Sequence, residues 1–100
     1  MIIVLTSTYP PDKATAVAKA FIKSAEAPFT YLKRVQVLTT AHQELGNKVL
    51  SIFEVDDDKV PDGVKELTKR LAELFFSIEG YRYQIELALT AEEAIPLLPL

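Results

Sequence analysis

The sequence predicts an α+β domain with two helices packed on one face of a four-stranded antiparallel sheet. Three observations predict it. Stretches of strand period and of helical period follow one another in the order strand, helix, strand, strand, helix, strand; a Gly-Asn turn separates the two adjacent strands; and proline or glycine stands where one period gives way to the next.

The first strand is Ile2 to Thr8, a β-branched run closed by Pro10 and Pro11, whose nearly continuous apolarity suits a central strand covered on both faces. From Pro11 the period changes, and Ala14, Val17, Ala18, Phe21, Ile22 and Ala25 fall on one helical stripe with Lys13, Lys19 and Lys23 away from it. Pro28 ends that helix. Tyr31 to Thr40 reads as the second strand and Lys48 to Val55 as the third, joined through Leu45, Gly46 and Asn47, where Gly and Asn tolerate positive φ. A second helix begins near Pro61 and Asp62, carries Val64, Leu67, Leu71, Leu74, Phe75 and Ile78 on its apolar stripe, and is capped by Gly80. The fourth strand is the alternating stretch GYRYQIELAL, with Tyr81, Tyr83, Ile85, Leu87 and Leu89 on one face and Arg82, Gln84 and Glu86 on the other. Thr90 and Glu93 have capping-box spacing, so the tail opens with a helical turn that Pro96 and Pro99 keep short. This order is the split βαβ, ferredoxin-like arrangement, and it accounts for residues 1–100 as a single domain.

Composition narrows the function classes. Eleven Lys and Arg against fourteen Asp and Glu give a net charge of −3, and the basic residues are scattered, which argues against nucleic acid as a partner. There is no Cys, which excludes disulfides, thiolate catalysis and Cys-ligated metals. The apolar start MIIVL lacks a basic flank and is interrupted too early for a signal peptide or a membrane span, so a soluble cytoplasmic protein without a membrane partner is expected.

With both helices on one side, the other side of the sheet needs an occupant. Strand parity places Arg34 and Gln36 on that open side with Leu32 and Leu38, Glu54 beside Leu50 and Ile52, and Arg82, Gln84 and Glu86 along the last strand. An apolar middle with a polar rim has the anatomy of a protein interface, here between two copies of the chain related by a two-fold axis. The order of elements, the length and the half-polar sheet face resemble the small ferredoxin-like proteins that pair sheet to sheet as dimeric α/β barrels. That superfamily includes cofactor-free monooxygenases, stress-response proteins and uncharacterised bacterial members. The resemblance covers essentially the whole chain, rests on architecture, and implies assembly more than activity.

Candidate chemistry is sparse. His42, in TTAHQELGN, is the one histidine; with Glu44 it could act as acid or base, and monooxygenases of the similar superfamily often use a histidine, but Gln43, Glu44, Gly46 and Asn47 mark a solvated loop around it. Asp56, Asp57, Asp58 and Asp62 lack the alternation and closing Glu of a Ca²⁺ loop and suit a helix N-terminus instead, so no metal is expected. Thr6, Ser7 and Thr8, with no Gly-rich turn beside them, read as strand-end and helix-capping hydroxyls rather than a phosphate cradle. Tyr9, Tyr31, Tyr81 and Tyr83 lie near strand ends or along the last strand, where phenols could line a cavity and orient a small organic ligand. No nucleotide fingerprint, zinc pattern or catalytic triad is present, and no cofactor is expected. The reading is a homodimer that binds a small organic molecule; the alternatives are a cofactor-free monooxygenase or isomerase and a structural or regulatory interaction module.

Overall fold

A computed structural model of the chain describes residues 1–42, 44 and 46–99. Gln43 and Leu45 of the anticipated loop, and Leu100 of the tail, lie outside the described residues. The elements are β1 (Ile2–Tyr9), α1 (Ala14–Ala25), β2 (Lys33–His42), β3 (Gly46–Glu54), α2 (Val60–Leu74), β4 (Arg82–Ala88) and α3 (Ala91–Ala94), with 3₁₀ turns at Pro11–Lys13, Asp57–Lys59 and Ile95–Leu97. The strands lie in the order β2-β3-β1-β4 and every neighbouring pair is antiparallel, which is the ferredoxin-like fold.

Register decides which side chains meet the helices. Ile3, Leu5 and Ser7 of β1 stand opposite Phe53, Ser51 and Val49 of β3 and opposite Leu87, Ile85 and Tyr83 of β4, so these residues share one face. That face meets Val17 of α1 and Leu67 and Leu71 of α2 in the hydrophobic core, where Phe53 and Ile3 are wholly buried. On the stripe expected of α2, Leu67 and Leu71, with Phe75 just past its end, are buried, and Val64, Leu74 and Ile78 pack beside them. The α1 stripe is rotated from the expected one: Val17, Ala20, Phe21 and Ser24 turn inward, while Ile22 is 63% exposed.

The chain enters α1 differently from the expectation. Thr6, Ser7 and Thr8 belong to β1, and neither the 3₁₀ turn nor α1 has a side-chain cap. Pro10 and Pro11 do the work instead, since proline fixes φ for a first turn without needing a cap for its missing N–H. Helix α2 closes at Leu74, before the glycine expected to cap it. Gly80 sits at φ +81° in the turn into β4, where a β-carbon would lie 2.6 Å from Cγ of Pro10. At the tail the capping box is formed: Glu93 N–H donates to Thr90 Oγ1 at 3.2 Å and Thr90 N–H donates to Glu93 Oε1 at 3.1 Å.

The open face carries Ile2, Val4, Thr6 and Thr8 of β1, Leu50, Ile52 and Glu54 of β3, Gln36 and Leu38 of β2, and Arg82, Gln84 and Glu86 of β4. Val4 lies between Ile52 on one side and Glu86 on the other. Parity thus gives the right face for these residues: Ile2, Val4, Leu50 and Ile52 adjoin in the two central strands, with Thr6, Thr8 and Lys48 toward one end. Arg34 and Leu32 are the exceptions. The β2–β3 register shifts between Arg34 and Gln36, and the bulged residue, Val35, reverses the parity upstream of it. Arg34 thus stands opposite Phe53 on the helix side, and Leu32 is buried in the core.

The slab measures 46 × 31 × 17 Å with a radius of gyration of 14.8 Å. A compact chain of this length has a radius of about 13 Å. Its accessible surface is 6819 Å². The scaling for compact monomers gives about 5,700 Å² at this mass. Exposed apolar side chains include Leu38 on the open face, Tyr83 and Leu87 at the β4 edge, and Ile95, Leu97 and Leu98 in the tail. No helix among the described residues is long and apolar enough to cross a membrane.

Candidate functional site

A pocket with three serines set in a mostly apolar wall sits inside the layer between sheet and helices, and its position follows from those serines being in phase with apolar neighbours. Ser7 continues the inward row of Ile3 and Leu5, Ser51 precedes Phe53 on the same face, and Ser24 closes the inward stripe of α1. All three are no more than 5% exposed, and each hydroxyl needs a partner or a void with room for one. The space between them is a cavity of about 40 Å³ walled also by Leu5, Phe21, Phe29, Leu67, Phe75, Tyr81, Arg34 and Arg70. This holds a water or a small polar head group.

The tyrosines do not converge. Tyr81 alone reaches this cavity, where its hydroxyl shares a 2.7 Å hydrogen bond with Ser7 and its ring lies 5.1 Å from that of Phe75. Burial pushes its phenol above the ordinary value, outweighing the hydrogen bond from Ser7. Tyr83 lies on the same side of the sheet but stacks on Phe76 at the uncovered edge. Tyr9 borders grooves beside Pro10 and Val37, and Tyr31 lines an open groove at the other end with Lys33 and Glu93.

Arginines supply what the tyrosines do not. The guanidinium carbon of Arg34 lies 4.8 Å from the ring centre of Phe21 and 5.1 Å from that of Phe53. Arg70 covers Phe29 at 4.2 Å, and its Nη1 donates to Ser24 O at 2.9 Å and to Ser24 Oγ at 3.1 Å. Burial, and then the like charge of Arg70, push the pKa of Arg34 down, although an arginine remains a cation. The Nε of Arg34 is buried without a hydrogen-bond partner. Glu66, the carboxylate that feels Arg70, is committed elsewhere: it accepts from Thr30 N–H at 2.9 Å and from Tyr31 N–H at 3.0 Å. Its partial burial pushes its pKa up, but these amides and Arg70 outweigh that and hold it below the usual carboxylate value.

His42 is exposed at the outer end of the β2–β3 hairpin, where its Nδ1 accepts from Glu44 N–H at 3.1 Å, and it is not among the residues that line the cavity. Asp57 lies 2.9 Å from the α-amino group of Met1. Among the described residues no group of three or more His, Asp or Glu side chains is placed to hold a metal.

Two grooves share walls with the cavity, the first with polar and apolar surface in similar amounts and the second almost wholly apolar. One, of about 250 Å³, runs past Ala25, Ala27, Pro28 and Leu32 and shares Ser24, Phe29 and Arg34 with it. The other, of about 260 Å³, separates α1 from β2 along Ala18, Ile22, Val37 and Thr39 and shares Val17, Phe21 and Val49.

No family model matches the chain, and no curated protein matches it. Among solved structures it is similar to a formyltetrahydrofolate deformylase from Pseudomonas putida, at 13% identity and a TM-score of 0.47 over 88% of this chain. The chain spans 29% of that enzyme's length. It is also similar to a candidate antibiotic biosynthesis monooxygenase from Deinococcus radiodurans, at 14% identity and a TM-score of 0.45 over 91% of this chain and 95% of the other. Both overlaps are partial, and the fold rests on the chain's own strand order and register.

Proposed function

We propose that this chain is one protomer of a cytoplasmic homodimer that binds a small organic molecule between its sheet and its helices. The observation that carries the binding reading is the unsealed core: buried hydroxyls and two cations surround a cavity that shares its walls with two grooves open to solvent, one of them almost wholly apolar. A layer evolved only for stability fills such a space with apolar side chains, because closely packed cores leave few voids and unpaired polar atoms are costly. The position of His42 gives no support to an oxygenase or isomerase that uses it as a base. The pairing of protomers is supported by surface area. A standard interface buries about 800 Å² on each partner. The excess over a compact monomer is of that order, and the open sheet face is where apolar side chains lie side by side.

Native mass spectrometry of protein purified without added ligand tests both parts. The reading predicts a particle of twice 11.2 kDa with a small extra mass that denaturation releases. A bare monomer under gentle ionisation contradicts it.

A further inference from the structure

Arg34 is the least explained charge in the molecule. The bulge at Val35 turns it into the layer between sheet and helices, where parity had put it on the open side of the sheet, at the rim of the expected contact between copies. There it meets the rings of Phe21 and Phe53, and its Nε has no hydrogen-bond partner. Among the described residues neither Arg34 nor Arg70 makes an ion pair; the ion pairs are Met1 with Asp57 and Lys69 with Glu73. A partly buried cation with an unsatisfied donor is costly unless something completes it. The whole chain is acidic, so this pair of guanidinium groups is a local feature and not part of a general basic surface.

We infer that Arg34 and Arg70 form the recognition end of the ligand site, and that the ligand is a small organic carboxylate whose head group sits on Arg34 while its apolar body lies in the groove beside Phe29 and Leu32. The inference rests on the small-molecule reading above and names the class of molecule. The cavity admits a head group and little more, at about 40 Å³. The body therefore lies in the adjoining groove of about 250 Å³, which shares Arg34, Phe29 and Ser24 with the cavity and is otherwise walled by apolar side chains and the α1–β2 connection. A planar carboxylate matches the donor fork of a guanidinium. Arg70 is held by Ser24 and adds positive potential without moving.

The test compares acids with their neutral twins. Benzoate and phenylacetate, and benzamide and phenylacetamide, are titrated into the wild-type protein while the Arg34 Nε–H resonance and the amide spectrum are recorded. The acids are expected to move the Arg34 resonance and to bind at least about tenfold more tightly than the amides, the effect of one charge-assisted hydrogen bond. Arg34→Met is expected to abolish the preference for the acid. Arg34→Lys, which keeps the charge and loses the fork, is expected to weaken it, and it serves if the methionine variant fails to fold. Equal binding of acids and amides overturns carboxylate recognition and leaves the small-molecule site standing. Inorganic phosphate binding as well as benzoate overturns the organic carboxylate. No response to any of the four organic probes overturns both readings.

Discussion

Ser7 and Tyr81, 74 positions apart in the chain, share a 2.7 Å hydrogen bond that ties the end of β1 to the residue before β4. Either hydroxyl can donate it. Burial raises the phenol pKa of Tyr81, and the bond from Ser7 opposes that rise. A raised folded-state pKa means that the folded protein holds the proton longer than the unfolded chain. The stability linked to this group is complete below about pH 10, the ordinary phenol value, and is lost as pH rises through the folded value. Absorbance titration should therefore show a phenol that ionises above the ordinary value, together with a fall in stability. Ser7→Ala should raise the ionisation of Tyr81 further and cost about 1 kcal/mol, because it leaves a half-buried hydroxyl without its partner. A variant that titrates earlier than wild type contradicts the geometry.

Gly63 sits within α2 where alanine ordinarily stabilises by about 1 kcal/mol. Here a β-carbon would lie 2.8 Å from Cδ2 of Leu32 and 3.2 Å from Cγ2 of Val55, both buried. Overfilling a packed site costs about 1–3 kcal/mol. Gly63→Ala should therefore lower the stability measured by denaturant unfolding by roughly 1 kcal/mol net. A gain in stability would show that α2 does not approach Leu32 and Val55 this closely.

The strand order and most of the sheet's two faces were legible because hydrophobic alternation and side-chain direction have the same period. Gln84 and Glu86, Leu50 and Ile52 all lie on the face their parity assigned. Arg34 was not legible. Val35 and Val37 are in phase, so the apolar pattern itself pointed Arg34 outward, and a bulge built on one more β-branched residue leaves no mark in the sequence. The site was missed for a related reason. Serine in a strand suggests a solvent-facing position, yet Ser7 and Ser51 occupy inward positions in phase with Leu5 and Phe53. That phase was the available signal. Tyrosines drew attention by their size, and three of the four lie away from the cavity. The expected caps of α1 were absent because Pro10 and Pro11 set the backbone directly.

The pairing of two sheets is the central claim, and Ile52 is the residue on which to test it. It lies mid-face between Val4 and Gln36, with Leu50 two residues along the same strand. A two-fold axis through this region would bring the apolar middle of one copy against that of the other and let Arg82 of one meet Glu86 or Glu54 of the other. Ile52→Asp places an uncompensated charge in that contact, at a cost of about 3 kcal/mol or more. Sedimentation velocity at micromolar concentration is the most direct measurement. The account predicts wild-type protein at twice 11.2 kDa and Ile52→Asp shifted toward the single chain. Wild-type protein sedimenting as a monomer, or a variant that associates unchanged, would contradict it.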